Sequence, residues 1–326
     1  MIEFNNIKIL GISSCVPENL MDLKSIFKNE SETRLKKTSK VTGIESIRIA
    51  GSDTTASDLC IKSAEHLFEK LNFDKNEIDS IVFVSQTRDY VMPQTSFVIR
   101  KKLGLNNDTI CFDLPLGCTG FIQGLFQSYS LLQNKKIKNV LLLCGDTMTK
   151  YLNKEDFATR SVFGDGGSSC IISSTENKFA TFFDIKSAEE KPDSLMMKSD
   201  KLFMDGFEVF KFVSKYVPRS IKENLKYLNQ NFDDFENVIF HQANDFIIKF
   251  LNKALKIDET KSPTVLNGLG NTGPASIPLA LTEKFFKVKK GHTFLCGFGV
   301  GLSYANCVVN LSDTEILKTI IYNEKH

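Results

Sequence analysis

The chain contains no tryptophan and only four histidines among 326 residues. Its eight cysteines form no CxxC pair and no Cys/His cluster with zinc-ligand spacing, so no metal site is predicted. Most of these cysteines sit in apolar runs such as VLLLCGD and TFLCGFG. That pattern reads as reduced core residues of a cytoplasmic protein rather than a disulfide framework. No apolar run approaches the ~18 residues of a membrane span. The opening stretch MIEFNNIKILGISSCVPENL has no basic region followed by a long apolar segment, so no signal peptide is predicted. The net charge is only +2, which gives no global attraction to nucleic acid or to a membrane surface. Neither GxGxxG nor GxxxxGK[ST] occurs, so the glycine-rich Phe163–Ser169, FGDGGSS, reads first as a structural turn and only second as a phosphate cradle.

What is present is an ordinary globular composition, 42% hydrophobic with 27 phenylalanines. The length allows one large domain or two of roughly 150 residues each. Strand-like and helix-like stretches alternate along it. Ile7–Ile12, Ser46–Ile49, Ser80–Ser85, Ile110–Leu114, Val140–Cys144 and Cys170–Ser173 read as strands. Ala56–Leu71 reads as an amphipathic helix, with Leu59, Cys60, Ala64, Leu67, Phe68 and Leu71 on its apolar face. A loop at Asp89–Gln94 is followed by a helix through Leu103, and Ala188–Asp200 reads as a polar, irregular connection.

The second half repeats the theme. A helix is predicted over Gly206–Asn229, bent or broken at Pro218. Further helices are predicted over Asp245–Leu255 and Ala275–Phe286, with strands at Asn237–Phe240, Thr293–Cys296 and Ser303–Asn310. Alternation of this kind predicts an α/β fold with largely buried strands, divided into halves at 1–173 and 174–326. The tail Ser312–His326 carries Ile316, Leu317, Ile320 and Ile321 and is expected to dock as a helix.

Four stretches carry candidate chemistry. In CFDLPLGCTGFIQGLFQSYSLL, Cys118 lies between a strand ending at Pro115 and a helix beginning after Gly120. A thiol there would meet the positive end of a helix, which lowers a cysteine pKa and makes a nucleophile. A small cysteine packed in a core turn is the other reading. His241 follows the strand Val238–Phe240 and precedes Gln242-Ala243-Asn244, a polar cluster at a strand's C-terminal end. Asn271 lies in NGLGNTGP, where it either aims its amide inward or serves as a turn former and helix cap. The Gly297–Gly301 turn, GFGVG, either brings a backbone N–H to a substrate or closes a plain hairpin. Together they supply a nucleophile, an imidazole, an amide donor and backbone N–H groups, a kit for acyl transfer through a thioester.

Cys118 in DLPLGCTGF, His241 in FHQAN and Asn271 in GNTGPASIPLAL, in this order and spacing, resemble the β-ketoacyl-acyl-carrier-protein synthase III family of the thiolase superfamily. FGDGGSS, GFEVFKF and GFGVGLSY match further signatures, and the likeness runs from about Ile7 to Leu311. The resemblance implies a thiolase-like fold of two duplicated halves in five αβαβα layers, and a homodimer. It implies that Cys118 takes an acyl group from an acyl-CoA or acyl-carrier-protein thioester. The backbone N–H groups of Cys118 and Val300 would hold the oxyanion, and His241 and Asn271 would stabilise the carbanion left when a malonyl thioester loses CO₂. No metal or redox cofactor is implied. Acyl transfer to an amine or hydroxyl without decarboxylation is the alternative chemistry, and a non-catalytic carrier-binding scaffold a remoter one.

The resemblance also places Met92, in YVMPQT, where a partner subunit's residue closes the acyl pocket, and assigns Phe207 and Phe246 to that pocket or the channel leading to it. Lys211, Lys215 and Lys253 fall where basic residues receive the acidic carrier protein. Where the family has a Trp and an Arg that sandwich the adenine of coenzyme A, this chain has Lys37 and Val41. Phe207, Phe246, Lys150 and Tyr304 also replace usual residues, so the coenzyme A site is rebuilt around a kept catalytic centre.

Overall fold

The computed structural model describes residues 1–176, 180–189, 191–284 and 291–324. Two sheets carry the fold. The first is ordered Glu315–Ile316, Ile7–Pro17, Gly166–Ser174, Asn139–Asp146, Ser80–Val84 and Ile110–Leu114, with Ile320–Tyr322 also paired to Ile7–Pro17. The second is ordered Ile2–Phe4, Thr181–Ser187, Ser303–Asn310, His292–Gly299 and Asn237–Phe240.

Alternation along each strand sorts the side chains into layers, because successive residues point to opposite faces. On the first sheet Ile81, Phe83, Leu141 and Leu143 pack with Ala56, Cys60, Ala64 and Leu67 of the outer Ala56–Leu71 helix. Val82, Val84, Val140 and Leu142 point the other way, onto the Gly120–Leu131 and Ser276–Lys284 helices. Those helices also receive Ile239, Leu295 and Ala305 from the second sheet. Val238, Phe240, Phe294 and Cys296 face outward, against the Gly206–Leu228 and Asp245–Leu255 helices. The result is five layers, helix–sheet–helix–sheet–helix.

Most of the expected elements form, and two helices have the predicted bounds, Ala56–Leu71 and Asp245–Leu255. The Asp113 carboxylate on the outermost strand of the first sheet accepts from Thr95 N and Ser96 N at 2.7 and 2.9 Å, and so caps the Thr95–Leu103 helix. The Ser276–Lys284 helix follows a short 3₁₀ turn, Gly273–Ala275; positions 285 and 286 of the expected helix lie outside the described residues. No helix among the described residues is long and apolar enough to cross a membrane.

Four expectations are corrected. The tail is not a helix: Glu315–Ile316 and Ile320–Tyr322 are strands running parallel to Ile7–Pro17. That strand is itself longer than predicted, and the tail covers an edge that would otherwise expose its N–H and C=O groups. Glu324 then accepts from Gly51 N at 2.6 Å and Thr54 Oγ1 at 2.8 Å. The glycines of FGDGGSS are largely strand, since Gly166–Ser174 begins among them; a Cβ on Gly167 would lie 2.7 Å from Leu59 Cβ, so they allow close helix packing. The polar connection carries a hairpin, Leu195–Lys198 with Lys201–Met204. The Gly206–Leu228 helix runs through Pro218 without a break, because burial of Val217, Pro218 and Ile221 outweighs the ~3 kcal/mol that an interior proline costs.

The chain ends cross between the sheets. Ile2–Phe4 pairs with Thr181–Ser187 of the second sheet, and the tail joins the first. Phe4 then packs edge-on against Phe126, Tyr129 and Phe183 at 5.6–5.8 Å, in the layer between the sheets.

Candidate active site

Cys118 is placed by the turn into the Gly120–Leu131 helix. Gly120 N donates to Gly117 O at 2.7 Å and fixes the bend. The turn joining His292–Gly299 to Ser303–Asn310 folds over the thiol. A Cβ on Gly299 would lie 2.5 Å from Cys118 Sγ, and one on Gly297 would lie 2.9 Å from Cys118 O. Only a glycine track lets the backbone approach the sulfur so closely. The Val300 N–H and the N–H of Cys118 itself reach the sulfur, and each favours its charged form. Burial acts more strongly in the opposite direction and pushes the thiol up to about 11. The sequence expectation of a lowered pKa is thus corrected: the desolvation of a buried site exceeds the pull of nearby N–H groups.

His241 caps the buried strand Asn237–Phe240. Its backbone N–H donates to Cys296 O at 2.8 Å, its Nδ1 lies 2.6 Å from Ser276 Oγ, and its ring meets Phe298 edge-on at 5.6 Å. Gln242 locks this corner, giving Nε2–H to Phe240 O and accepting from Val265 N. With Nδ1 engaged, Nε2 is the ring nitrogen left for the cavity. Burial drives the imidazole down to about 3, so it is neutral across the physiological range.

Asn271 is held by its backbone across the molecule. Its N–H donates to Val162 O at 2.8 Å, and its carbonyl accepts from Gly164 N at 3.1 Å. Its side-chain Oδ1 accepts from Gly273 N at 3.0 Å, which leaves the Nδ2 hydrogens as the unengaged end of the amide.

Cys118, His241 and Asn271 line one small cavity of about 60 Å³ between the two halves. Cys118 also lines a larger one of about 380 Å³, whose apolar wall includes Met148, Tyr151, Phe163, Leu195 and Leu202. Matches to known proteins agree with this arrangement. A family model for 3-oxoacyl-[acyl-carrier-protein] synthase III matches residues 112–190, and the model of that enzyme's C-terminal part matches residues 225–311. A Campylobacter jejuni protein assigned as a 3-oxoacyl-[acyl-carrier-protein] synthase 3 is 32% identical, over 99% of each chain.

The chain belongs to the 3-oxoacyl-[acyl-carrier-protein] synthase III family.

A β-ketoacyl-[acyl-carrier-protein] synthase III of Clostridium perfringens is 33% identical, covering 94% of this chain and 99% of that one. The crystal structure of a 3-oxoacyl-(acyl-carrier protein) synthase from Burkholderia xenovorans superposes with a TM-score of 0.95 at 30% identity, over 98% of each chain. As a member of this synthase III family, the protein is an acyltransferase of the thiolase fold.

The other residues singled out from sequence lie away from the thiol. Met92 is 87% exposed, Phe207 is 73% exposed and Phe246 is 49% exposed. None of the three lines either cavity of the single chain; for Met92 the expectation concerned the pocket of a partner subunit. The reason is helix placement: Phe207 and Phe246 follow the first residues of their helices and stand at the mouth, where Phe246 packs on Phe210 at 5.0 Å. The cavity wall comes instead from the Leu195–Met204 region and Met148. Lys211, Lys215 and Lys253 are exposed on the same two helices. Lys211 lies 3.5 Å from Glu208, and the Lys215 ammonium stands over the Tyr216 ring at 4.7 Å. Lys150 donates to Ser52 O and Thr54 O.

Sequence reasoning missed Ser276, which holds His241, and Asp146, which lines the larger cavity. Ser276 carried a faint signal, five residues after Asn271 in the same motif. Asp146 carried none beyond ending a strand.

Proposed function

We propose that this synthase III family member forms an acyl-cysteine at Cys118 and condenses it, with loss of CO₂, with a malonyl thioester on acyl carrier protein, giving a 3-oxoacyl thioester. The observation that carries this is the convergence of the Cys118 thiol, the free Asn271 amide hydrogens and the His241 ring on one cavity. In the first half-reaction the Cys118 sulfur bonds to the acyl carbon, the donor's C–S bond breaks, and the departing thiolate takes up the thiol proton. The N–H groups of Val300 and Cys118 meet the charge that develops on the carbonyl oxygen.

In the second half-reaction the malonyl C–C bond breaks and CO₂ leaves. The electron pair stays as an enolate whose oxygen faces Asn271 Nδ2. With the Ser276 hydroxyl donating to His241 Nδ1, Nε2 carries the proton and supplies the second donor. The enolate carbon attacks the acyl carbon and expels Cys118 as a thiolate, which is reprotonated. Neutrality of the imidazole suits this work, because it donates without first having to lose a charge.

The ~380 Å³ cavity and its apolar wall support an apolar acyl group. The mouth supports a donor carried on a protein or an unusual CoA thioester. Val41, Phe207 and Phe246 are exposed and stand in the sequence where the family resemblance expects coenzyme A-binding side chains, and Lys211, Lys215 and Lys253 offer an acidic carrier a basic face. A homodimer is part of the same reading. The Ile110–Leu114 strand is a sheet edge among the described residues, with Ile110 exposed, and Val91 and Met92 project nearby. A second copy pairing on this edge would bring its own loop to the cavity. The pathway is fatty-acid synthesis or a specialised acyl pathway.

Intact-protein mass spectrometry tests the reading. Wild type and Cys118→Ala are incubated with acyl-CoA and acyl-carrier-protein thioesters, then with malonyl carrier protein. A mass gain on wild type alone, discharged by malonyl carrier protein with CO₂ release, is expected. Discharge onto an amine or hydroxyl without CO₂ would replace condensation by simple acyl transfer, and absence of any acyl-enzyme would sink both.

A further inference from the structure

A buried carboxyl stands on the wall of the larger cavity and has no part in the chemistry above. Asp146 ends the strand Asn139–Asp146 and is fully buried. Its Oδ1 accepts four hydrogen bonds, from Ser85 Oγ, Gln86 N, Thr87 N and Thr87 Oγ1, at 2.8–3.0 Å. Its Oδ2 has no partner. That oxygen lies against the loop that carries Asn271, since a Cβ on Gly273 would stand 2.7 Å from it. Cys118 and Asp146 line the same cavity. A carboxyl whose one oxygen is saturated and whose other is buried and bare is an unusual use of a polar group, because an unsatisfied buried acceptor costs about 1–3 kcal/mol.

We propose that Asp146 is a positioning residue for the nucleophile, setting through the charge on its unpartnered carboxyl whether the neighbouring Cys118 thiol can ionise. The inference rests on Cys118 being the nucleophile. Two acids facing one cavity resist being charged together, so a proton on Asp146 favours the thiolate and its loss disfavours it. The charge of Asp146 does act against ionisation of Cys118. Burial raises Asp146 to about 7 against the pull of its four donors, so the carboxyl changes charge where the enzyme works. The other groups facing it do not compete. Cys60 of the Ala56–Leu71 helix and Cys144 of its own strand are kept neutral by burial. Arg88 lines the same cavity.

The test is the rate of iodoacetamide alkylation of the full-length protein from pH 5.5 to 9, with the modified residue located by peptide mapping. Asp146→Asn keeps the shape and removes the charge. Its rate relative to wild type is expected near one at pH 5.5 and severalfold higher above pH 8, with a midpoint near 7. Ser85→Ala, which removes one donor from the charged carboxylate, is expected to move the wild-type inflection to higher pH. That variant keeps the test alive where Asp146→Asn does not fold. A ratio flat at one, or an inflection unmoved in Ser85→Ala, would overturn the role of Asp146. Label found elsewhere than Cys118 would instead overturn the assignment of the nucleophile.

Discussion

At the scale of single residues, the proposed mechanism gives Cys118 and Asn271 different half-reactions and so makes them separable. Asn271→Ala removes one of the two donors facing the enolate, so decarboxylative condensation should fall by ~10²–10³. Acylation of Cys118 should stay within a few-fold of wild type, because the Val300 and Cys118 N–H groups are untouched. Single-turnover acylation measured beside steady-state condensation checks this, and an equal loss in both would contradict it. Asp165 gives a second residue-scale prediction. It accepts from Ala50 N at 2.8 Å, Thr149 N at 3.0 Å and the Thr149 hydroxyl, and burial raises it from 3.8 to about 6. A carboxyl raised in the folded state stabilises fully below pH ~4 and loses that contribution as pH climbs through 6. Wild type should therefore lose roughly 3 kcal/mol relative to Asp165→Asn between pH 4 and 7. Urea unfolding of both proteins at the two pH values reads the difference.

At the scale of elements, the Gly206–Leu228 helix shows how one segment serves core and surface. Phe212, Val213, Val217 and Ile221 are buried on one side, and Lys211 and Lys215 are exposed on the other. Phe212→Ala should cost about 3–5 kcal/mol. Lys211→Ala should change stability by less than ~0.5 kcal/mol and should raise KM for a carrier-borne substrate while leaving a small thioester unaffected. Denaturant melts and paired kinetics distinguish the two sides. The Gly297–Gly301 turn makes the complementary case. Gly299→Ala puts a methyl 2.5 Å from the thiol at a φ of 153°, so acylation should be lost from a protein that still folds, visible as an absent mass gain with native circular dichroism.

Much of this level was legible in the sequence. The Ala56–Leu71 and Asp245–Leu255 helices declare their bounds through apolar spacing and through Thr55 and Asn244 as caps. The Leu195–Met204 hairpin did not, because exposed Met196, Met197 and Phe203 blur its alternation. Pro218 misled for the opposite reason: a local penalty was outweighed by packing that only the folded sheet supplies.

At the scale of the whole molecule, the ends of the chain bind the halves together. The N-terminal strand joins the sheet of the second half, and the tail joins that of the first. Deleting residues 313–326 removes the parallel pairing along Gly11–Pro17, the Thr314–Ile9 bond of 2.9 Å and the Glu324 contacts at Gly51 and Thr54. The truncated protein should melt several degrees lower, bind more of a hydrophobic dye, and aggregate through the uncovered edge. An unchanged melting temperature would show that the tail only decorates the sheet.

The sequence by itself determined the family, the alternation that makes two α/β halves, and the identities of Cys118, His241 and Asn271. These depend on residue type and local period, which a chain carries wherever it goes. Tertiary structure alone decided what those residues are chemically. Burial, not the helix end, sets the state of the Cys118 thiol; Ser276 and Gly273 decide which atoms of His241 and Asn271 remain free; and Met148, Leu195 and Leu202 form the cavity wall. Each of these depends on groups brought together from distant parts of the chain and on the water excluded between them, and neither is written in any local stretch.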